Sequence, residues 1–197
     1  MLKKIIVYGY IFFNKITSLP VYLMFRIWKV QYGKNLTVAG FPVIQKNKKA
    51  RLILGDRVKL ISTPRANLVG LTNRCTLVCN GPDSEIVVGD DSGLSGVVIN
   101  ARESIKIGKH VMLGGNVRIF DHDFHQIHYQ DRRDGTGEIK SRPVVIEDDV
   151  FIGTNSIILK GTRIGRGSVI GAGSVVSGNV PAGEIWAGNP ARKVRSL

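Results

Sequence analysis

Cysteine is scarce in this chain of 197 residues, which has only Cys75 and Cys79. Both alternate with aliphatic residues, so the sequence excludes a fold held together by a framework of disulfides. Two cysteines four residues apart, without a second pair of ligands, also argue against a zinc site. We therefore expect two buried, reduced thiols and a location in the reducing cytoplasm.

Long apolar runs are absent as well. The uninterrupted apolar runs near the N-terminus reach about ten residues, too few for a helix to cross a bilayer core of roughly 30 Å. No small-residue cleavage site follows the first of these runs, so a signal peptide fits poorly. The chain is thus expected to be one soluble domain, with an apolar fraction of 43% that suffices for a core.

Acidic residues are few, and their scarcity is uneven. The chain has 15 Asp and Glu against 28 Lys and Arg, a net charge of +13, and residues 1–60 contain a single acid, Asp56. No nucleic-acid recognition motif accompanies this positive charge, which argues against a nucleic-acid partner. The charge coincides with an apolar N-terminal segment, residues 1–34, which we expect to be largely helical.

Two interpretations of that segment stay open. Between Ile5 and Trp28 it could pack on the first unit of a repeat fold, or against neighbouring subunits, and shield the exposed end of the core. It could instead lie in the membrane interface at the inner face of the membrane, with lysines and arginines meeting anionic headgroups.

The most informative feature present is a six-residue repeat between Val144 and Pro181. The aliphatic residues that begin its six units are Ile146, Ile152, Ile158, Ile164, Ile170 and Val176. Six-residue units of short β segments and turns are typical of a parallel β-helix, in which each unit forms one side of a prism. Ordinary hairpins seldom hold a constant spacing through six units.

Two other positions of the repeat carry small residues. The fifth position is occupied by Val150, Ser156, Thr162, Ser168, Ser174 and Val180, as expected at a corner inside a packed stack. The second position is often glycine, as in Gly153, Gly165 and Gly171. There we expect a backbone that needs conformational freedom.

Earlier hexads, such as those that begin at Leu54, Val88 and Ile107, extend the pattern back to about residue 35. The repeat is interrupted between Ile119 and Ile146, whose separation is not a multiple of six. The polar stretch 120–142 is therefore predicted to be a loop pushed out of the prism, and long loops on rigid scaffolds often carry function. The domain boundaries that follow are 1–34 and 35–197.

With its hexads, its histidine-rich loop and its closing Ala187-Gly188-Asn189-Pro190, the chain resembles the hexapeptide-repeat acyltransferases. The likeness is to their branch of galactoside, maltose and surface-polysaccharide O-acetyltransferases, and it covers Leu36 to the C-terminus. It implies an all-β fold, a parallel left-handed β-helix, a homotrimer with active sites between subunits, and acetyl-coenzyme A as the donor. It also implies a sugar hydroxyl, free or lipid-linked, as the acceptor.

Transfer of an acetyl group to a hydroxyl needs a general base, for which histidine is the commonest choice near neutral pH. His122 directly follows the last hexad before the loop and matches the catalytic histidine of the resembling enzymes. A carboxylate that binds the other ring nitrogen would orient it, with Asp121, Asp123 and Glu103 as candidates. His125, with Asp123, is the candidate for acceptor contact.

Donor binding is implied by the resemblance. Thr154, Ala172 and Ser177 match positions that contact coenzyme A in the galactoside enzymes, where Gly178 of this chain replaces a lysine. Cations that suit a phosphate lie toward the C-terminal end, namely Lys160, Arg163, Arg166, Arg192, Lys193 and Arg195.

Other functions compete with this prediction. A γ-class carbonic anhydrase shares the hexapeptide coil but needs three histidines that converge on zinc, whereas His122, His125 and His128 crowd one loop. A non-enzymatic scaffold would leave the loop histidine without a role. Among acetyltransferases, serine, amino-sugar and xenobiotic acceptors stay open, and no metal is expected.

Overall fold

The computed structural model describes residues 19–197. A helix, α1, occupies residues 19–27 and is followed by 21 strands, a 3-10 turn at Pro64–Ala66 and a second short helix, α2, at Tyr129–Asp134. Residues 1–18, which include the beginning of the apolar N-terminal segment, lie outside the described part. None of the helices in residues 19–197 has the length and apolar character that crossing a bilayer requires.

The strands form three sheets, one on each side of a prism. Sheet A comprises β1 (Gln31–Tyr32), β4 (Arg51–Leu54), β7 (Glu85–Val88), β10 (Ser104–Ile107), β13 (Val144–Ile146), β16 (Arg163–Ile164) and β19 (Asn179–Val180). Sheet B comprises β2 (Thr37–Ala39), β5 (Lys59–Ile61), β8 (Gly93–Ser95), β11 (Met112–Leu113), β14 (Phe151–Ile152), β17 (Val169–Ile170), β20 (Glu184–Gly188) and β21 (Ala191–Ser196). Sheet C comprises β3 (Val43–Lys46), β6 (Thr76–Cys79), β9 (Val98–Ala101), β12 (Arg118–Phe120), β15 (Ile157–Ile158) and β18 (Val175–Val176).

The chain visits the sheets in the order A, B, C and then returns to A one layer further along. All pairings in the described residues are parallel except that of β20 with β21. Ile146 pairs with Ile164, three hexads later, so three hexads make one coil. The parallel β-helix is thereby confirmed, while its left-handed sense and the 34/35 domain boundary stay predictions.

The repeat positions have the expected burial. The aliphatic residues that begin the hexads, Ile146 through Val176, are at most 1% exposed and form a single core with the earlier coils. The hydroxyls at the fifth position are also buried, and they donate to turn carbonyls: Ser168 Oγ to Pro181 O at 2.7 Å, and Ser174 Oγ to Gly171 O at 2.6 Å. A small hydroxyl at this position thus fits inside the corner and satisfies a carbonyl there.

The second-position glycines are required for a reason other than the expected one. Gly153, Gly165 and Gly171 do not have a positive φ; the positive-φ glycines of these hexads are Gly161, Gly167 and Gly173. A Cβ on Gly153 would instead lie 2.5 Å from the amide nitrogen of Ala172 in the next coil. These glycines permit close approach of successive coils, and sequence alone cannot distinguish that need from conformational freedom.

Carboxylates cross-link the coils at the corner between sheets A and B. Oδ1 of Asp56 accepts from the Lys34 amide at 2.7 Å, Oδ1 of Asp90 from the Asp56 amide at 2.9 Å, and Oδ1 of Asp148 from the Lys109 amide at 2.8 Å. The Asp56 amide is the main cause of a pKa for the Asp90 carboxyl below its ordinary value. Each such bond satisfies a turn amide that the parallel ladder leaves unpaired.

Two connections leave the prism. The predicted loop runs from 121 to 143, between β12 and β13, and contains α2. A second, between β5 and β6, was not predicted. It lies against the next coils, where Asn67 Nδ2 donates to Ser95 Oγ at 3.0 Å and Asn116 Nδ2 donates to Gly70 O at 3.0 Å. Its residues lack any periodic signal that would mark them as an insertion.

Both cysteines are buried and free, as expected for reduced thiols. Burial raises the pKa of Cys75, and it raises the pKa of Cys79 to about 11. Because the thiolate is the reactive form, both thiols are protonated and inert near neutral pH.

Helix α1 packs on the first coil. Val21 and Phe25 are fully buried in the common core, and Tyr22 Oη donates to Leu36 O at 3.0 Å. The described part of the N-terminal segment therefore covers the open end of the β-helix, as the capping interpretation requires.

A pair of glycine substitutions tests the close-approach explanation. Gly153→Ala should lower the free energy of unfolding by about 1–3 kcal/mol, because the new methyl group meets the backbone of the next coil. Gly93→Ala is the matched control, since a Cβ at Gly93 has no atom within 4 Å. Urea denaturation should show a change of less than about 0.5 kcal/mol for the control; equal effects of both substitutions would contradict the explanation.

Candidate active site

The prism has three corners, and the candidate catalytic side chains lie at the corner between sheets C and A. On successive coils this CA corner contains residues 80–84, 102–103, 121–143, 159–162 and 177–178. The extruded loop starts here, immediately after β12, so its first residues are held by the rigid coil. His122 and Asp121 are those residues.

His122 and Asp121 form a buried pair. Nδ1 of His122 lies 2.9 Å from Oδ1 of Asp121, and their side chains are 2% and 0% exposed. A carboxylate only accepts, so Nδ1–H donates to it, and in the neutral imidazole the lone pair then lies on Nε2. Of the three carboxylates suggested by the sequence, the structure brings Asp121 to the ring; Asp123 binds Lys160 instead, and Glu103 contributes a backbone amide.

The Asp121 carboxylate is itself held by three backbone amides of the preceding coil. Its Oδ1 accepts from the Arg102 amide at 2.8 Å, and its Oδ2 accepts from the amides of Glu103 and Ser104, each at 2.8 Å. Together with His122 Nδ1–H, this gives four donors to one carboxylate. A carboxylate with four donors is fixed in position.

The other edge of the imidazole faces an amide side chain. Asn80 Nδ2, from the CA corner two coils earlier, lies 3.4 Å from His122 Nε2. This direction fits an unprotonated Nε2 that accepts from an N–H group. Asn80 was missed in the sequence, where an asparagine before Gly81 and Pro82 indicates only a turn.

The start of the loop is pinned to its end. His122 and Ser141 form an isolated antiparallel β-bridge. Beside it, the Arg142 amide donates to Asp121 O at 2.8 Å, and the Asp123 amide donates to Lys140 O at 3.0 Å. The ring of Phe124 also packs 4.8 Å from that of His122. The imidazole is therefore held in place on several sides while the remainder of the loop extends away.

The remaining loop residues are less constrained. His125 is exposed, whereas Asp123 pairs with Lys160 and lines a cleft of about 460 Å³ within the loop. The other side chains that line this cleft include Gln126, Tyr129 and Glu138. His122 itself does not line the cleft, which its sequence neighbour Asp123 borders. The mixture of carboxylates, an amide and an aromatic ring suits a polyhydroxylated ligand.

The expected donor residues do not share one corner. Ser177 lies at the CA corner with His122, but Thr154 and Ala172 lie between sheets B and C, on a different edge of the prism. There Thr154 Oγ1 donates to Gly115 O at 2.6 Å, and Ala172 is exposed. A single chain thus does not bring Thr154 or Ala172 to the histidine.

The basic residues expected to bind phosphate differ in availability. Lys160, Arg163 and Arg166 each pair with a carboxylate, as does Lys193, whose Nζ lies 2.5 Å from Glu184 Oε1. Arg192 and Arg195 lie on the terminal strand β21 and are exposed. Their guanidinium groups are the better candidates for a phosphate.

No group of three His, Cys, Asp or Glu side chains in residues 19–197 is arranged to hold a metal ion. His110, the histidine outside the loop, is exposed at the AB corner, with Nδ1 3.9 Å from Asp91. That alternative gains no support from the described residues.

The chain is similar to known proteins that contain hexapeptide repeats. A family model described as the hexapeptide repeat of succinyl-transferase matches residues 143–177. A 2,3,4,5-tetrahydropyridine-2,6-dicarboxylate N-acetyltransferase from Clostridium perfringens is 56% identical over 55 residues, which are 28% of this chain and 23% of the relative. The chain thus matches less than a quarter of the length of such curated relatives.

Two solved structures are similar over more of the chain. A hexapeptide-repeat-containing acetyltransferase from Vibrio cholerae, complexed with acetyl coenzyme A, is 28% identical with a TM-score of 0.57, over 85% of this chain and 72% of that one. A maltose O-acetyltransferase from Clostridium difficile is 26% identical with a TM-score of 0.52, over 81% and 70%. Both solved structures are of acetyltransferases, and this chain is similar to them over most of its length.

The support given to Asp121 can be measured. Asp121→Asn keeps the shape of the side chain but turns an NH2 group toward two of its four donors, so it should lower the free energy of unfolding by about 1–3 kcal/mol. Asp123→Asn, at a partly exposed ion pair, should change it by less than about 1 kcal/mol. Urea denaturation compares the two, and an equal, small loss for both would show that Asp121 is not held as described.

Proposed function

We propose that this protein is an acetyl-coenzyme A-dependent O-acetyltransferase that acts on a sugar hydroxyl in the biosynthesis of a cell-surface polysaccharide. The observation that carries the proposal is the buried Asp121–His122 pair, in which Asp121 Oδ1 lies 2.9 Å from His122 Nδ1, so that a neutral ring places its proton on Nδ1 and its lone pair on Nε2. A histidine fixed in this tautomer is the group that such a transfer needs.

Nε2 of His122 removes the proton of the acceptor hydroxyl as that oxygen attacks the thioester carbonyl carbon. The resulting imidazolium is stabilised by the Asp121 carboxylate, whose negative charge lies 2.9 Å from Nδ1. When the tetrahedral intermediate collapses, the C–S bond breaks and the imidazolium returns the proton to the departing thiolate. The base is thereby restored without an acetylated enzyme.

The acceptor side of the site supports a sugar. The cleft in the loop that follows His122 is lined by carboxylate, amide and aromatic side chains, a combination that binds hydroxyl groups and stacks on a sugar ring. The similar maltose O-acetyltransferase acts, by its name, on a sugar hydroxyl. The link to surface polysaccharide rests on the basic, apolar N-terminus, which suits a lipid-linked acceptor.

An amine acceptor is the second candidate, because the curated relatives that match the chain over a short segment are N-acetyltransferases. A thiol-release assay with acetyl-coenzyme A against sugars, nucleotide sugars, amino sugars and serine distinguishes the two. Release with sugars alone supports O-acetylation, and release restricted to amines overturns it.

The site is also proposed to lie between subunits of a homotrimer. Thr154 and Ala172 lie on a different prism edge from His122, so a donor that contacts them reaches His122 only if another copy supplies it. Sheet B presents an apolar surface for such packing, where Met112 and Phe151 are neighbours in register and are 63% and 43% exposed. In a threefold assembly, sheet B of one prism packs against a different face of its neighbour. Such packing brings an edge of one prism close to a different edge of the next.

Replacing the base is the direct test of the mechanism. His122→Ala should lower kcat roughly a hundredfold or more and leave the affinity for coenzyme A nearly unchanged, because a general base acts in the transition state and not in donor binding. His110→Ala, at an exposed position of the AB corner, is the matched control. A larger loss from His125→Ala, or an acetylated enzyme trapped without acceptor, would contradict the assignment.

Mixed oligomers test whether the site is shared. His122→Ala subunits and Ala172→Trp subunits, the latter blocked in donor binding, should each be inactive alone. After co-refolding in equal amounts, about a quarter of the sites combine an intact histidine from one chain with an intact donor edge from another, and activity should recover to about that fraction. Absence of recovery at every mixing ratio would show that each chain holds a complete site.

A further inference from the structure

Helix α1 has two apolar faces, and only one of them is used by the fold. Val21 and Phe25 are fully buried in the core of the first coil. Leu19, Leu23 and Ile27 repeat at a spacing of four residues on another face, and they are 73%, 61% and 70% exposed. A cap would need only the first face, so the second stripe is an excess of apolar surface at the end of the prism.

Cations border this exposed stripe. Arg26 and Lys29 line a groove of about 740 Å³ together with Leu19, Leu23 and Tyr32. Tyr32 is 46% exposed, and its ring packs 5.9 Å from that of Phe25. The surface thus combines aliphatic side chains, an aromatic ring and two positive charges, the composition of interfacial segments that enter the headgroup region of a bilayer.

The surrounding sequence has the same composition. Residues 1–34 contain six cations, Lys3, Lys4, Lys15, Arg26, Lys29 and Lys34, and no Asp or Glu. An acidic protein partner would also meet this charge, but it would leave the aliphatic stripe in contact with polar surface. A lipid bilayer with anionic headgroups satisfies both features, because acyl chains accept the aliphatic side chains and headgroups accept the cations.

We infer that the exposed stripe of α1, with Arg26 and Lys29, docks this protein on an anionic phospholipid surface. Val21 and Phe25 fasten the helix to the first coil, so docking holds the end of the prism at the bilayer while the catalytic corner stays in water. The inference does not depend on the proposed acetyl transfer, and its test uses no enzymatic readout.

The experiment is sedimentation of the full chain with phosphatidylcholine vesicles, with and without phosphatidylglycerol. Binding should require the anionic lipid and weaken as salt rises, because headgroup attraction is screened. Arg26→Gln with Lys29→Gln should weaken binding about fivefold for each charge removed. Leu19→Asn, Leu23→Asn and Ile27→Asn together should weaken it more than tenfold, since the apolar contact is lost.

Matched controls come from another part of the surface. Leu68 is 92% exposed in the loop between β5 and β6, and Leu68→Asn should leave vesicle binding unchanged. Arg65→Gln with Arg74→Gln removes the same charge from exposed positions of that loop, and should have a much smaller effect than the pair on α1. Circular dichroism checks that every variant is folded.

Other occupants of the stripe give different results. If a second copy of this chain covers the stripe, the triple asparagine variant has a lower oligomeric state than the native protein in analytical ultracentrifugation, and the native protein does not bind vesicles. If residues 1–18 cover the stripe, the native chain does not bind vesicles, whereas a chain that begins at Leu19 binds them. Either result overturns the inference, as does binding that is equal with and without phosphatidylglycerol.

Discussion

Stacking of one coil on the next is the interaction on which the rest of this structure depends. Each coil places aliphatic side chains from three sheets into a shared interior. On sheet A, for example, Ile146, Ile164 and Val180 lie in register on successive coils. No coil can bury its inner face by itself, so the fold is stable only as a stack. Close approach of the backbones is a condition of that stacking, and the glycines at the second hexad position provide it.

The candidate active site uses the same kind of contact that holds the coils together. Along the AB corner, Asp56, Asp90 and Asp148 each accept from a backbone amide of a neighbouring coil. At the CA corner, Asp121 does so with three amides and also accepts from His122. In the proposed mechanism this structural carboxylate also orients the imidazole, because the scaffold that holds Asp121 places its Oδ1 2.9 Å from His122 Nδ1.

The two ends of the prism differ in what covers them. At the C-terminal end, β21 turns back on β20 as the single antiparallel pair of strands in the described residues, with Lys193 bound to Glu184. At the N-terminal end, α1 closes the core with Val21 and Phe25 but presents further aliphatic residues outward. A cap that served stability alone would be polar on its outer side. The exposed apolar stripe of α1 is instead suited to contact with another apolar surface.

The sequence by itself determined the prism, because an aliphatic residue every six positions can be buried only if the chain turns at the same spacing. It also determined where the loop leaves the stack, since Ile119 and Ile146 are out of register, and it indicated His122 through its position at that exit. Only the tertiary structure decided which of three carboxylates meets the imidazole. It likewise decided that Asn80 faces Nε2, that Gly153 is needed for close approach, and that Thr154 lies on another edge. The contacts of Asn80 and Gly153 join residues one or more coils apart, and the choice of carboxylate and the edge that carries Thr154 also depend on where each corner falls in the stack. A linear pattern specifies the period of the coils but not which side chains meet across them.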